Sequence, residues 1–122
     1  MTPTPARRFP WIVLAYLGPL AVLPLVILPL SPKLRDLRTD VSWHAWQGFL
    51  LAIVETAVLV AVTAVTAYTM LSSVPAGVTL GVVTWLLWVV VLLVHLGAIV
   101  AALSERRLEI PGISLLATRL AR

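Results

Sequence analysis

Residues 43–71 read WHAWQGFLLAIVETAVLVAVTAVTAYTML, residues 72–77 read SSVPAG, and residues 78–103 read VTLGVVTWLLWVVVLLVHLGAIVAAL. Glu55 is the one Asp, Glu, Lys or Arg in the first of these stretches, and the third has none. At about 1.5 Å of rise per residue, each apolar stretch is long enough to cross roughly 30 Å of hydrocarbon with some tilt. The joining stretch is short, uncharged and contains Pro75 and Gly77, so the two helices must run antiparallel, side by side.

Composition agrees. The 122 residues are 61% hydrophobic and 11% charged, with a mean hydropathy of +1.04. A soluble domain is about 45–50% apolar and about 25% charged. A chain this poor in polar groups cannot cover a water-facing globule, so much of its surface must face lipid. Such a composition excludes a soluble enzyme and leaves no room for a separate catalytic domain. The absence of cysteine removes disulfides, thiolate metal sites and a cysteine nucleophile.

A further apolar run, PWIVLAYLGPLAVLPLVILPLSP, covers residues 10–32. It is too long for the apolar core of a typical signal peptide and is not followed by a small-x-small cleavage site. Its composition predicts a first span over about 10–31, kinked or broken where Pro19, Pro24 and Pro29 each remove a backbone donor. The expected fold is therefore all-α: a single membrane domain, residues 1–122, with spans at about 10–31, 43–71 and 78–103 and a cytoplasmic tail at 104–122.

The positive charges set the orientation. With three spans, Lys33, Arg35, Arg38, Arg106, Arg107, Arg119 and Arg122 share one side, against Arg7 and Arg8 on the other. Basic residues accumulate on the cytoplasmic side, so the C-terminus is expected there and the N-terminus outside. The alternative is a re-entrant first segment, which would put all nine basic residues in the cytoplasm. The positions of these charges between apolar runs mark membrane orientation rather than a nucleic-acid surface.

After Pro111 and Gly112, residues Ile113, Leu116, Ala117 and Leu120 fall on one helical face beside Arg119 and Arg122. This pattern predicts a short amphipathic helix lying in the cytoplasmic interface.

Few polar residues are available for chemistry. His44 and Gln47 share a helical face, and Glu55 returns to nearly the same angle eleven residues after His44. A carboxylate about 15 Å along such a helix is costly in lipid and requires a partner, a proton or a water-filled cavity. With the turn near Val74, Glu55 lies 19 residues before it and His95 lies 21 after it, which makes the two level and predicts a Glu55–His95 bond. The candidate intramembrane polar face is therefore His44, Gln47, Glu55 and His95. It reads either as a proton or ion relay, extended by Tyr16, Tyr68 and threonines, or as bonds that hold helix register. His44 beside Trp43 and Trp46 reads as an interfacial anchor, and Thr63, Thr66 and Thr69 as hydroxyls bonded to their own helix. No catalytic constellation, metal site, cofactor fingerprint or nucleotide-binding loop is present in the sequence.

Three stretches, Tyr16-Leu17-Gly18-Pro19-Leu20, Asp40 to Gly48 and Glu109-Ile110-Pro111-Gly112-Ile113-Ser114, occur in an order and spacing that resembles a family of small bacterial membrane proteins. That family is related to the Tic import component of the chloroplast inner envelope and includes the magnetosome protein MamF. His44, Ala45 and Gln47 match its second motif, whereas Trp46 stands where a basic residue is common. The resemblance implies a small all-helical integral membrane protein and no one activity; the plastid relatives act within a protein-import assembly. Two functions are expected: a non-catalytic accessory or scaffold subunit of a bacterial inner-membrane assembly, or an oligomeric channel or protein-translocation component. The partners expected are the lipid bilayer and either other membrane proteins or further copies of the chain.

Overall fold

A computed structural model of the protein describes residues 4–121, and all regular structure among them is helical. In order, α1 covers Pro5–Ala15, a 3-10 turn covers Gly18–Ala21, and α2 covers Val22–Leu30. A second 3-10 turn covers Pro32–Leu34, followed by α3 at Arg35–Ser72, α4 at Val74–Leu103 and α5 at Ile113–Leu120.

The proline-rich run over 10–31 is broken into two short helices, and the two ends of the run meet. Arg7, at the start of α1, bonds Asp36 at 2.9 Å and the Lys33 carbonyl at 3.4 Å. A single straight helix would hold residues 7 and 33 about 39 Å apart, so the run doubles back on itself. The physical reason lies at the proline-preceding residues. After α1 ends at Ala15, Gly18 adopts a φ of +60° ahead of Pro19, a left-handed step open to glycine from which the 3-10 turn starts. Ser31, ahead of Pro32, is extended, which ends α2 and redirects the chain into α3.

α3 and α4 are longer than expected. α3 starts at Arg35, eight residues before Trp43, with Asp36 in its first turn where a carboxylate complements the helix dipole. α4 starts at Val74, because Pro75 in the first turn sacrifices only a donor that would be unpaired anyway. The connection shrinks to Ser73. Arg106 N–H bonds the Ala101 carbonyl at 2.8 Å and Glu105 N–H bonds that of Ala102 at 3.2 Å, closing α4 with a Schellman cap. The left-handed residue there is Glu105, φ 59°, in a place usually taken by glycine.

The chain divides into two compact units. One comprises the described part of Met1–Ala52 with His95–Arg122; the other is Ile53–Val94. In the first, Ile12, Ala15, Tyr16, Ala45, Ala98 and Ala102 form a buried cluster from α1, α3 and α4, and Leu28, Leu37 and Val41 form a second. Gly48 explains how α1 approaches α3: a Cβ at that position would overlap the carbonyl oxygen of Ala15. In the second unit, α3 and α4 are close enough that a Cβ on Gly77 would stand 2.6 Å from Cα of Met70. Farther from the turn, the Thr66 and Thr84 hydroxyls are 3.2 Å apart. Thr66 and Thr69 also bond the carbonyls of Val62 and Val65, as their spacing predicts.

Two helices, Asp40–Ser72 and Val74–Leu103, are long and apolar enough to cross a membrane. Only 17% and 11% of their most apolar stretches are buried within the protein.

Candidate functional site

In the first unit, the polar residues at the start of the apolar part of α3 turn inward. His44 and Gln47 are one helical turn apart, which aims both side chains at the end of α1. The Tyr16 hydroxyl meets them there, 2.9 Å from His44 Nδ1 and 3.0 Å from Gln47 Oε1. Tyr16 is 1% exposed, His44 4% and Gln47 0%. The Tyr16 ring stands edge-on to the imidazole, with centroids 5.9 Å apart.

The proton arrangement follows from what each atom can do. Leu108 offers a carbonyl, which only accepts, so the Gln47 amide nitrogen faces it at 2.7 Å. Gln47 Oε1 is then an acceptor and takes the single Tyr16 hydroxyl proton. His44 Nδ1 must therefore carry hydrogen and donate to the phenol oxygen. The direction of donation runs from His44 through Tyr16 to Gln47 and on to the tail.

The tail closes the network. Gln47 Nε2 also reaches Ser114 Oγ at 3.3 Å, and Ser114 Oγ accepts the Ile110 N–H at 2.7 Å. Trp43 Nε1 donates to Thr118 Oγ1 at 3.0 Å, while the Arg107 guanidinium lies 4.9 Å over the Trp43 ring. Trp43 also packs edge-on against His44, with centroids 5.0 Å apart. A cavity of about 380 Å³ remains beside these contacts, lined by Trp43, Arg107, Glu109, Ile110, Ser114 and Thr118 among others.

These bonds rotate α5 from the expected orientation. Ser114 and Thr118 face α3, so Ile113 is half-buried and Ala117 fully buried, while Leu116 and Leu120 face outward. The four residues expected on one apolar face are divided between two surroundings.

A layer of ion pairs borders the same unit. Arg8, with a side chain 11% exposed, pairs with Asp40 at 2.5 Å and Glu105 at 3.3 Å, and Arg7 pairs with Asp36 at 2.9 Å. These contacts join the start of α1, the start of α3 and the end of α4.

Of the four expected polar-face residues, His44 and Gln47 are brought together. Glu55 lies in the Ile53–Val94 unit and His95 in the other; both are half-buried and both are engaged with a partner. Tyr16, Ser114 and the Leu108 carbonyl are the members that spacing along α3 does not reveal. Among the described residues, no three His, Asp or Glu side chains converge on a point that would hold a metal ion.

No protein-family model, curated protein or solved structure matches the chain. The buried geometry therefore carries the functional reading. His44, Tyr16 and Gln47 are donors and acceptors already bonded to one another and to the tail, an arrangement that fixes positions and ties α1, α3 and the C-terminal segment into one body.

Proposed function

We propose that the protein is a non-catalytic integral membrane subunit that scaffolds or stabilises a larger membrane assembly. The observation that carries this reading is the distribution of polarity. The hydrogen-bonding side chains Tyr16, His44 and Gln47 are inside, whereas the Ile53–Val94 unit turns Leu71, Trp85 and Trp88 outward at 89%, 65% and 53% exposure. Lipid or partner helices are the surroundings in which such a surface is stable. The bonded interior supports a structural role for the buried polar groups, because a relay needs titratable groups open towards both membrane faces.

In this reading α3 and α4 cross the bilayer, and the α1–α2 pair enters from one face and returns to it. Every basic residue then belongs to one side, which the positive-inside tendency makes the cytoplasm, with both termini there and the Ser73 turn outside. The tail helix lies at that cytoplasmic interface, with Leu116 and Leu120 towards lipid. A bacterial inner membrane suits a chain organised in this way.

The test is gentle detergent extraction of the tagged protein, followed by sizing and mass spectrometry of its companions. A stoichiometric set of other membrane proteins is the expected result. A lone monomer would overturn the scaffold reading.

A second reading, an oligomeric channel or translocation component, draws on Glu55, the one carboxylate within the apolar stretch 43–71. The resemblance to the Tic-related family points the same way. The chain has no cysteine, so a single E55C substitution reports without background. Reaction with a membrane-impermeant thiol reagent in intact membranes supports a water-filled path, and protection argues against one.

A further inference from the structure

The first unit has a second cavity, of about 490 Å³, whose lining is divided by chemistry. Pro24, Leu25, Leu28 and Pro29 of α2 form one side with Leu120 of α5, while Arg35, Arg38, Ser42 and Trp46 of α3 form the other. The arginines are one turn apart on α3, so both guanidinium groups reach the same rim. Among the described residues, Asp36, Asp40 and Glu105 are taken by Arg7 and Arg8, and Arg35 and Arg38 form no ion pair. The groove therefore offers two uncommitted positive charges beside an apolar wall.

We propose that this groove seats one anionic phospholipid, with its phosphate between Arg35 and Arg38 and its glycerol end against Ser42 and Trp46. Its acyl chains run along Leu25 and Leu28. The assignment rests on the membrane reading above, which puts residues 33–42 at the cytoplasmic interface, where anionic headgroups are found. Charge complementarity selects the occupant. Guanidinium groups form paired hydrogen bonds with phosphate, and the apolar wall matches a lipid tail but not a free ion. Basic pockets between helices on the cytoplasmic side are sites of this kind.

The full chain is reconstituted into phosphatidylcholine bilayers containing either brominated phosphatidylglycerol or brominated phosphatidylcholine, and tryptophan quenching is measured. The difference between the unsubstituted chain and W46F isolates the Trp46 signal. Each arginine near an anionic headgroup is worth roughly a five-fold preference. Trp46 is therefore expected to favour brominated phosphatidylglycerol by about an order of magnitude or more, and R35Q and R38Q each to lower that preference about five-fold. R106Q removes a charge outside the groove and is expected to leave the preference unchanged. Equal quenching of Trp46 by the two lipids, or a preference that survives both R35Q and R38Q, overturns the lipid site. If brominated phosphatidylcholine still quenches the outward Trp85 and Trp88, the membrane reading stands without the lipid site. If neither lipid quenches any tryptophan, both fail together.

Discussion

The Tyr16 hydroxyl donates to the Gln47 side-chain oxygen at 3.0 Å, joining two buried residues 31 positions apart. The phenol oxygen of Tyr16 in turn receives His44 Nδ1–H at 2.9 Å, so one phenol group satisfies two buried polar side chains. Tyr16→Phe keeps the ring packing and strands both. A loss of about 1–3 kcal/mol is expected for each buried group left without a partner. In a cycle with Gln47→Leu, the double substitution should cost less than the sum of the singles by about 0.5–3 kcal/mol. Unfolding in mild detergent, followed by tryptophan fluorescence, measures this; additive losses would refute the coupling.

Much of this fold could be read from residue order alone. The long apolar runs, a tight turn within SSVPAG and the helix after Gly112 are local features, and local chemistry places them. The shared face of His44 and Gln47 follows in the same way from the helical period. What faces that pair does not, because Tyr16 and Leu108 arrive from elements 31 and 61 residues away. The first apolar run shows the same limit. Hydropathy is blind to direction, so residues 10–32 look alike whether they cross or return. The informative signals were the steps Gly18-Pro19 and Ser31-Pro32, together with opposite charges at the two ends of the run: Arg7 and Arg8 before it, Asp36 and Asp40 after it.

Gly48 and Gly97 are both helical glycines, yet their substitutions should have opposite signs. A Cβ at Gly48 meets the Ala15 carbonyl, while one at Gly97 meets nothing within 4 Å. Gly48→Ala should push α1 away from α3 and destabilise by about 1–3 kcal/mol. Gly97→Ala should stabilise by roughly 0.5–1 kcal/mol, as alanine does in an open helical position. A neutral Gly48→Ala in the same unfolding assay would contradict the close approach of α1.

The ion pairs at the base of the first unit should differ in weight. Arg7 and Asp36 have side chains 50% and 36% exposed, so solvent screens them, and Asp36→Asn is expected to cost less than about 1 kcal/mol. Arg8 is 11% exposed and depends on Asp40 and Glu105. Asp40→Asn should therefore cost more, about 1–3 kcal/mol, by leaving a largely buried guanidinium short of a partner. The Asp36→Asn loss should shrink in high salt while the Asp40→Asn loss persists. Equal losses, or equal salt sensitivity, would remove the distinction drawn from burial.

The re-entrant path makes a topological prediction that separates it from three full crossings. Reporters fused before Thr4 and after Arg122 should both read as cytoplasmic, and a reporter inserted at Ser73 should read as external. Three crossings would place the two termini on opposite sides. The contacts of Arg7 with Asp36 and the Lys33 carbonyl require the first outcome once α3 crosses, because both ends of the first run are held at one level. An external N-terminus with a cytoplasmic C-terminus would mean that these contacts are not made in the membrane.

Trp43 holds the tail alongside Gln47, since its ring nitrogen bonds Thr118 and its face carries Arg107. Trp43→Phe keeps an aromatic face for Arg107 but removes the donor, and Thr118→Val removes the acceptor. Both should loosen α5 while leaving α3 and α4 in place. Trypsin cleavage after Arg106, Arg107 and Arg119 in membrane-embedded protein reports this directly, because an anchored tail resists proteolysis. The lost hydrogen bond is worth about 0.5–1.5 kcal/mol, so cleavage limited by local opening should accelerate by roughly two- to ten-fold in each variant. Combining the two substitutions should add little, as either alone abolishes the same bond. If cleavage is unchanged, the Trp43–Thr118 contact is not what holds the tail, and the Gln47 bonds to Leu108 and Ser114 are sufficient by themselves.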